Sequence, residues 1–146
     1  MVETISSRIE FIPVKILIEG LEERHILSDK DLYEVGQNIH QNDRTDFIVS
    51  LMAGMPVLPF VFDGTVRPWK VLDGVKRLAL IWAFYEGKFP IEDSPYLFVD
   101  GRRFFEELSL FKRRRFLSTK IPCYVINPPT GQKAVNDIKK RMNRAL

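Results

Sequence analysis

Apolar residues change their spacing repeatedly along this chain, and each change predicts an element. From Ile9 to Ile18, β-branched residues crowd around Pro13, which predicts one extended strand, or two short ones broken at the proline. Gly20-Leu21-Glu22-Glu23 predicts a turn, and Glu23 to Leu27 a second strand. Ser28-Asp29-Lys30-Asp31 reads as a capping-box-like start followed by Leu32, Val35 and Ile39 at helical spacing. Gly36 costs that helix about 1 kcal/mol relative to alanine, so it is expected to be short or irregular. A firmer helix runs from about Arg44 to Ala53, with Phe47, Ile48 and Leu51 on one side, Gly54 as its stop and Pro56 just beyond.

The middle of the chain carries the densest signals. Val57 to Phe62 and Val66 to Leu72 read as strands joined into a hairpin at Asp63-Gly64, with Pro68 marking an edge or bulge in the second arm. Gly74 to Tyr85 is apolar nearly all round, through Val75, Leu78, Leu80, Ile81, Trp82, Phe84 and Tyr85. This predicts a central helix buried on most sides. Beyond Gly87 come a loop, a short strand over Tyr96 to Val99, a turn at Asp100-Gly101 and a short helix over Arg102 to Leu108. Ser109 caps a helix over Leu110 to Ser118. Ile121 to Ile126 is a strand stopped by Pro128-Pro129-Thr130-Gly131, and a last helix presents Val135, Ile138, Met142 and Ala145 on one face. The succession predicts an α+β fold without internal repeats.

Composition narrows the setting. With 146 residues and a 45% apolar fraction, one domain over 1–146 is expected. No run approaches the roughly 18 apolar residues of a membrane span, and the start, with Glu3, Arg8 and Glu10, lacks a signal-peptide pattern. A soluble cytoplasmic protein with no membrane partner is expected. The one cysteine, Cys123, leaves no internal disulfide and too few thiols for zinc. It reads as a buried small hydrophobe without thiol chemistry. His25 and His40 have no metal-ligand spacing, and Trp69 and Trp82 read as core or rim packing.

The net charge of +3 hides a split. Through residue 111 there are 12 Lys/Arg against 18 Asp/Glu; from Lys112 onward there are 10 against 1. Lys112-Arg113-Arg114-Arg115 spans more than one helical turn, so its cations cannot share a surface and at least one must snorkel or pair internally. With Lys139, Lys140, Arg141 and Arg144 they form a candidate phosphate-binding face for DNA or RNA. A solvated helix and a docking surface for an acidic protein are the alternatives.

The sharpest chemical signal is Val71-Leu72-Asp73-Gly74-Val75-Lys76-Arg77-Leu78, where a strand stops at Asp-Gly and an apolar helix opens with two cations. A helix start already carries partial positive charge, and cations there are disfavoured by roughly 0.3 to 1 kcal/mol each. Lys76 and Arg77 therefore call for a negative group. In one reading Asp73 is the N-cap and pairs with Arg77. In the other, Gly74 and the first-turn amides admit a phosphate, Arg77 grips it as a fork, and Lys76 adds a point charge. Asp73 would then orient water or Mg²⁺, although a lone carboxylate makes a poor metal site.

The order of these signals resembles the ParB/sulfiredoxin-like superfamily, and within it the N-terminal domain of GmrSD-type restriction proteins, whose hallmark is a DGQQR motif between strand and helix. Arg44 to Pro56 resembles that family's helix before the hairpin, and Pro59-Phe60-Val61 its first strand. Phe105-Glu106-Glu107-Leu108 through Ile121-Pro122 resembles the elements that follow, and Ile138-Lys139-Lys140-Arg141-Met142-Asn143 its ending. The resemblance implies a small mixed sheet with a central buried helix and flanking helices, and binding of a nucleoside triphosphate with Mg²⁺, or of DNA, in a bacterial or phage-infected cell. Asp73 is its candidate catalytic residue, and Gly74, Lys76, Arg77, Arg141 and Asn143 are its phosphate-binding ones. Val75 and Lys76 stand where the family has two glutamines, and the early Gln-Arg pair has only Gln37-Asn38 as its nearest counterpart. The helical and nuclease regions of longer relatives have no counterpart here. Binding with at most residual nucleotide hydrolysis and no nuclease activity is therefore expected. The rival expectation is an inert accessory or inhibitor protein, of phage type, that binds a macromolecule through its basic C-terminal face.

Overall fold

In the computed structural model, which describes residues 2–144, the chain forms a five-stranded mixed sheet, a separate two-stranded hairpin and six α-helices. The order is β1 (Ser7–Pro13), α1 (Val14–Glu22), β2 (Ile26–Leu27), α2 (Leu32–Gln37), α3 (Gln41–Ala53), β3 (Phe60–Asp63), β4 (Trp69–Asp73), α4 (Val75–Tyr85), β5 (Ile91–Ser94), β6 (Leu97–Arg103), a 3-10 turn at Phe105–Glu107, α5 (Leu110–Ser118), β7 (Lys120–Ile126) and α6 (Gln132–Met142). The large sheet runs β1-β7-β3-β4-β2, with β7 antiparallel to β1 and parallel to β3. The α+β class expected from the sequence holds at this level.

The pleat divides the sheet into two unequal faces. Phe60 stands beside Cys123, and Phe62 beside Val125, on the face that meets the helices. There Phe60, Phe62, Val71, Ile121 and Cys123 join Val14, Leu17 and Ile18 of α1, Ile48, Leu51 and Met52 of α3, and Leu78, Ile81 and Phe84 of α4 in the main core. The other face carries a smaller cluster in which Val61, Leu72 and Ile126 are covered by Val135 and Ile138 of α6. Phe84 is fully buried and sits edge-on to Phe105 and Phe116 at ring separations of 5.8 and 5.2 Å, which ties α4 to the 3-10 turn and α5.

Several local expectations are corrected. Ile9 to Ile18 is not all strand: Pro13 ends β1 in an extended conformation, and α1 begins at Val14. The buried Val14, Leu17 and Ile18 form a helical stripe that the β-branched composition masked. The second strand contracts from Glu23–Leu27 to Ile26–Leu27. Asp31, not Ser28, caps α2, accepting from the amides of Tyr33 and Glu34. Asp100-Gly101 lies inside β6 with left-handed backbone rather than forming a turn. Its amides, with that of Val99, are held by the Asp93 carboxylate, and these bonds depress the Asp93 pKa. Arg102 and Arg103 continue β6, so the helix expected over Arg102 to Leu108 shrinks to the 3-10 turn. Met142 is exposed, and Ala145 lies outside the described residues.

Cys123 behaves as a buried hydrophobe. It is fully enclosed on β7, between β1 and β3, and burial, with Glu10 nearby, pushes its thiol up to about 12. A thiol-specific reagent at pH 8 is expected to leave it unlabelled in the folded protein and to label it fully in denaturant. Rapid native labelling would show that the sheet opens.

Candidate functional site

The junction of β4 and α4 is where the cation-rich helix start falls, and the structure separates its two cations. Gly74 sits at φ +104°, and α4 starts at Val75 with no side-chain cap and no acid in its first turn. Asp73 is therefore not the N-cap. It is the last residue of β4, and its carboxylate lies 3.5 Å from Arg77. The first helical hydrogen bond, Leu78 N–H to Gly74 C=O, leaves the amides of Val75, Lys76 and Arg77 without helical partners.

Arg77 turns inward. Its guanidinium donates to the carbonyls of Leu58 and Pro59, lies 5.0 Å over the Phe60 ring and pairs with Asp73. Burial lowers its proton affinity and Asp73 raises it again, and the group remains a cation. The fork that a phosphate would need is thus engaged by the segment leading into β3, so the ion-pair reading accounts for Arg77. Arg77→Ala is expected to destabilise the fold by about 1–3 kcal/mol, because two carbonyls lose a charged donor. Denaturant titration measures this, and ligand affinity of the folded variant should stay within about twofold, a change of under half a kcal/mol.

Lys76 turns the other way. It is exposed and borders a groove of about 650 Å³ between the start of α4 and the connection from α2 to α3, together with Lys30, Asn38, His40 and Asp43. Val35, Ile39 and Leu80 supply apolar surface. Among the described residues neither Lys30 nor Lys76 has an ion pair. The Nδ1 of His40 accepts from the Asn42 amide as the N-cap of α3, which leaves its Nε2 to carry a proton. The groove thus offers two ammonium groups, an imidazole N–H and an amide beside an uncapped helix start, against one carboxylate. Lys30 and His40 carried no motif in the sequence. They reach Lys76 because α2 packs along α4, with the buried Gly36 against Ala79 and Ala83.

The basic C-terminal residues do not converge. α5 packs against α1 and α3 on the helical side of the sheet, whereas α6 lies against β4 on the opposite face. Lys112 to Arg115 and Lys139 to Arg144 therefore do not form the one continuous face expected of them. Lys112 lies over Phe98 at 5.9 Å, and Arg113 pairs with Glu106 at 3.6 Å, as a four-cation run on one short helix requires. Arg114 and Arg115 point to solvent. On α6, Lys139 holds Asp29 at 2.5 Å and Arg141 pairs with Asp137 at 3.3 Å, while Lys140, Asn143 and Arg144 are exposed. No hydrogen bond or ion pair among the described residues joins Arg141 or Asn143 to the Asp73 to Arg77 turn. The Lys139–Asp29 pair, however, tethers α6 to the loop that carries Lys30.

A second concavity of about 760 Å³ lies away from this turn, between β1, α1 and the residues before β4, over Ile12, Ile16 and Trp69. Glu10, Glu19 and Glu23 outweigh Arg67 on its border, which disfavours an anion. Among the described residues, no group of three or more His, Cys, Asp or Glu is placed to hold a metal ion, and no helix is long and apolar enough to cross a membrane. Comparison of the chain with protein-family models, with curated proteins and with solved structures finds no match in any of the three.

Proposed function

We propose that this chain is a ParB-like binding protein that takes the phosphate of a nucleotide, or of DNA, in the groove beside Lys76. The observation that carries the reading is the groove that Val75 and Lys76, at the uncapped, acid-free start of α4, share with Lys30, Asn38 and His40. Free first-turn amides and the helix dipole favour an anion there, and two unpaired lysines supply full charges. Binding is favoured over hydrolysis, since Arg77 is held by main-chain carbonyls and Asp73 is the one carboxylate at the turn. A bound nucleoside triphosphate would bring Mg²⁺ with it. The groove is expected to work in the cytoplasm of a bacterial or phage-infected cell.

A second reading, an inert accessory or inhibitor protein, draws on Arg114 and Arg115, which stand exposed on α5 apart from the groove. Titration with each of the four ribonucleoside triphosphates plus Mg²⁺, and with duplex DNA over a range of salt, separates the two. Saturable binding that weakens steeply with salt supports the phosphate groove. Silence toward all ligands, with a partner protein co-purifying, supports the accessory role.

A further inference from the structure

β1 is the long edge of the five-stranded sheet, and among the described residues no strand pairs with its outer side. It pairs with β7 alone, while the opposite edge, β2, is two residues long. A free strand edge presents unpaired amides and carbonyls and is ordinarily blunted by a lysine, a proline or a bulge. β1 has the terminal Pro13 and two charges of opposite sign, Arg8 and Glu10, which repel an incoming strand that does not match them and pair with one that does. The face beside the edge is apolar as well: Ile9 is 54% exposed, Phe11 65% and the neighbouring Tyr124 40%. Large side chains left uncovered next to an open edge are the mark of an interface.

The hydrogen-bond pattern specifies what that edge can accept. The Val14 amide donates to Thr119 and the Asn127 amide to Ser6, so the even-numbered residues of β1 face β7. Ser7, Ile9 and Phe11 therefore turn their amides and carbonyls outward. Arg8, Glu10 and Ile12 lie on the helical face, where Arg8 holds its own Glu10 at 3.0 Å, donates to the side-chain carbonyl of Asn127 and lies 5.7 Å over the Trp69 ring. An antiparallel copy of this strand can dock with its two-fold axis at residue 8, 9 or 10 and still satisfy outward-facing pairs. Centring on 8 sets Arg8 against Arg8, and centring on 10 sets Glu10 against Glu10, both repulsive. Centring on Ile9 sets Arg8 against Glu10 of the second copy, and Glu10 against its Arg8. These are non-hydrogen-bonded positions, where side chains approach most closely. The same register bonds Ser7 to Phe11 of the second copy and Ile9 to Ile9, three facing pairs with two hydrogen bonds each.

We propose that the chain associates with a second copy of itself by antiparallel pairing of β1 about Ile9, joining two five-stranded sheets into one. Each Arg8 then lies between two Glu10 carboxylates and each Glu10 between two guanidiniums. The interface is isologous and closes on itself, so it gives a dimer and not a filament. It rests on the strand edge alone and is independent of the phosphate groove.

Charge exchange tests both the interface and its register. Sedimentation of the full chain over a concentration series should give a dimer. Arg8→Glu and Glu10→Arg should each give the monomer mass, with an unchanged far-ultraviolet spectrum because both side chains are at the surface. An equimolar mixture of these two variants should restore the dimer, since every acid then faces a base, and so should the double exchange in one chain. Hydrogen exchange should slow at the amides of Ser7, Ile9 and Phe11 in the dimer alone. A wild-type chain that stays monomeric throughout overturns the proposal and leaves the edge for a foreign extended segment. A dimer that survives both single exchanges places the interface elsewhere and overturns it equally.

Discussion

Replacing Gly74 with alanine is expected to lower the stability of the fold by about 2–5 kcal/mol. The backbone term comes first: at φ +104° an L-residue is strained, at about 1–2 kcal/mol. The packing term adds to it, because a Cβ at residue 74 falls 2.0 Å from Cδ1 and 2.6 Å from Cε1 of Phe60. Phe60 is 1% exposed and has Arg77 across its ring, so it cannot move aside, and overpacking of this kind costs about 1–3 kcal/mol. The urea midpoint measures the sum. Adding Phe60→Leu to Gly74→Ala trades the ring clash for a milder packing defect and should leave the backbone term in place. If Gly74 instead served only to admit a ligand, stability would hold and affinity alone would fall.

Lys76→Glu is expected to weaken phosphate binding about 30-fold while leaving stability within about 0.5 kcal/mol, as for other exposed surface changes. A unit charge about 4 Å from a phosphate oxygen contributes about 1 kcal/mol in a water-like environment. Reversing its sign removes that attraction and adds a repulsion of the same size, about 2 kcal/mol in all, hence the factor of about 30. Lys30→Glu, on the far side of the groove, should act in the same direction, and the pair should lose more than either alone. Calorimetric titration of the nucleotide gives the affinity. With duplex DNA, Lys76→Ala should also lower the slope of log affinity against log salt by about 0.9, one phosphate contact. An Arg77→Ala variant that loses more affinity than Lys76→Glu, while still folded, would reverse the roles assigned to the two cations.

Elements with long and consistent patterns were legible. The apolar stretch over α4, the stop of α3 at Gly54 and the Ser109 cap of α5 fall where spacing and turn residues put them. β3 and β4 pair as expected, but Asp63 stays within β3 opposite Lys70, so the connection runs over residues 64–68 and not through an Asp63-Gly64 turn. The misreadings lie where local preference and burial conflict. Residues 14–18 are rich in β-branched and branched-chain types, yet they are helical because Val14, Leu17 and Ile18 all reach the core from one helical face. Asp100-Gly101 has the composition of a turn but serves as a bulge within β6, because Asp93 on the facing strand of the same hairpin holds its amides.

The sequence by itself determined the α+β class, the buried central helix, the buried cysteine and a strand-to-helix turn bearing two cations, because each follows from residue type and spacing along the chain. Only the tertiary structure decided which cation the turn offers and what surrounds it. Arg77 is drawn onto the carbonyls of Leu58 and Pro59, residues brought alongside α4 by the β3–β4 hairpin, and the uncommitted charge is left to Lys76. Lys30 and His40 join it through packing of α2 against α4, and the basic residues of α5 and α6 part to opposite sides of the sheet. One-dimensional charge patterning records how many cations a chain has. Which of them remain free to meet a ligand is set by the partners that folding supplies to the others.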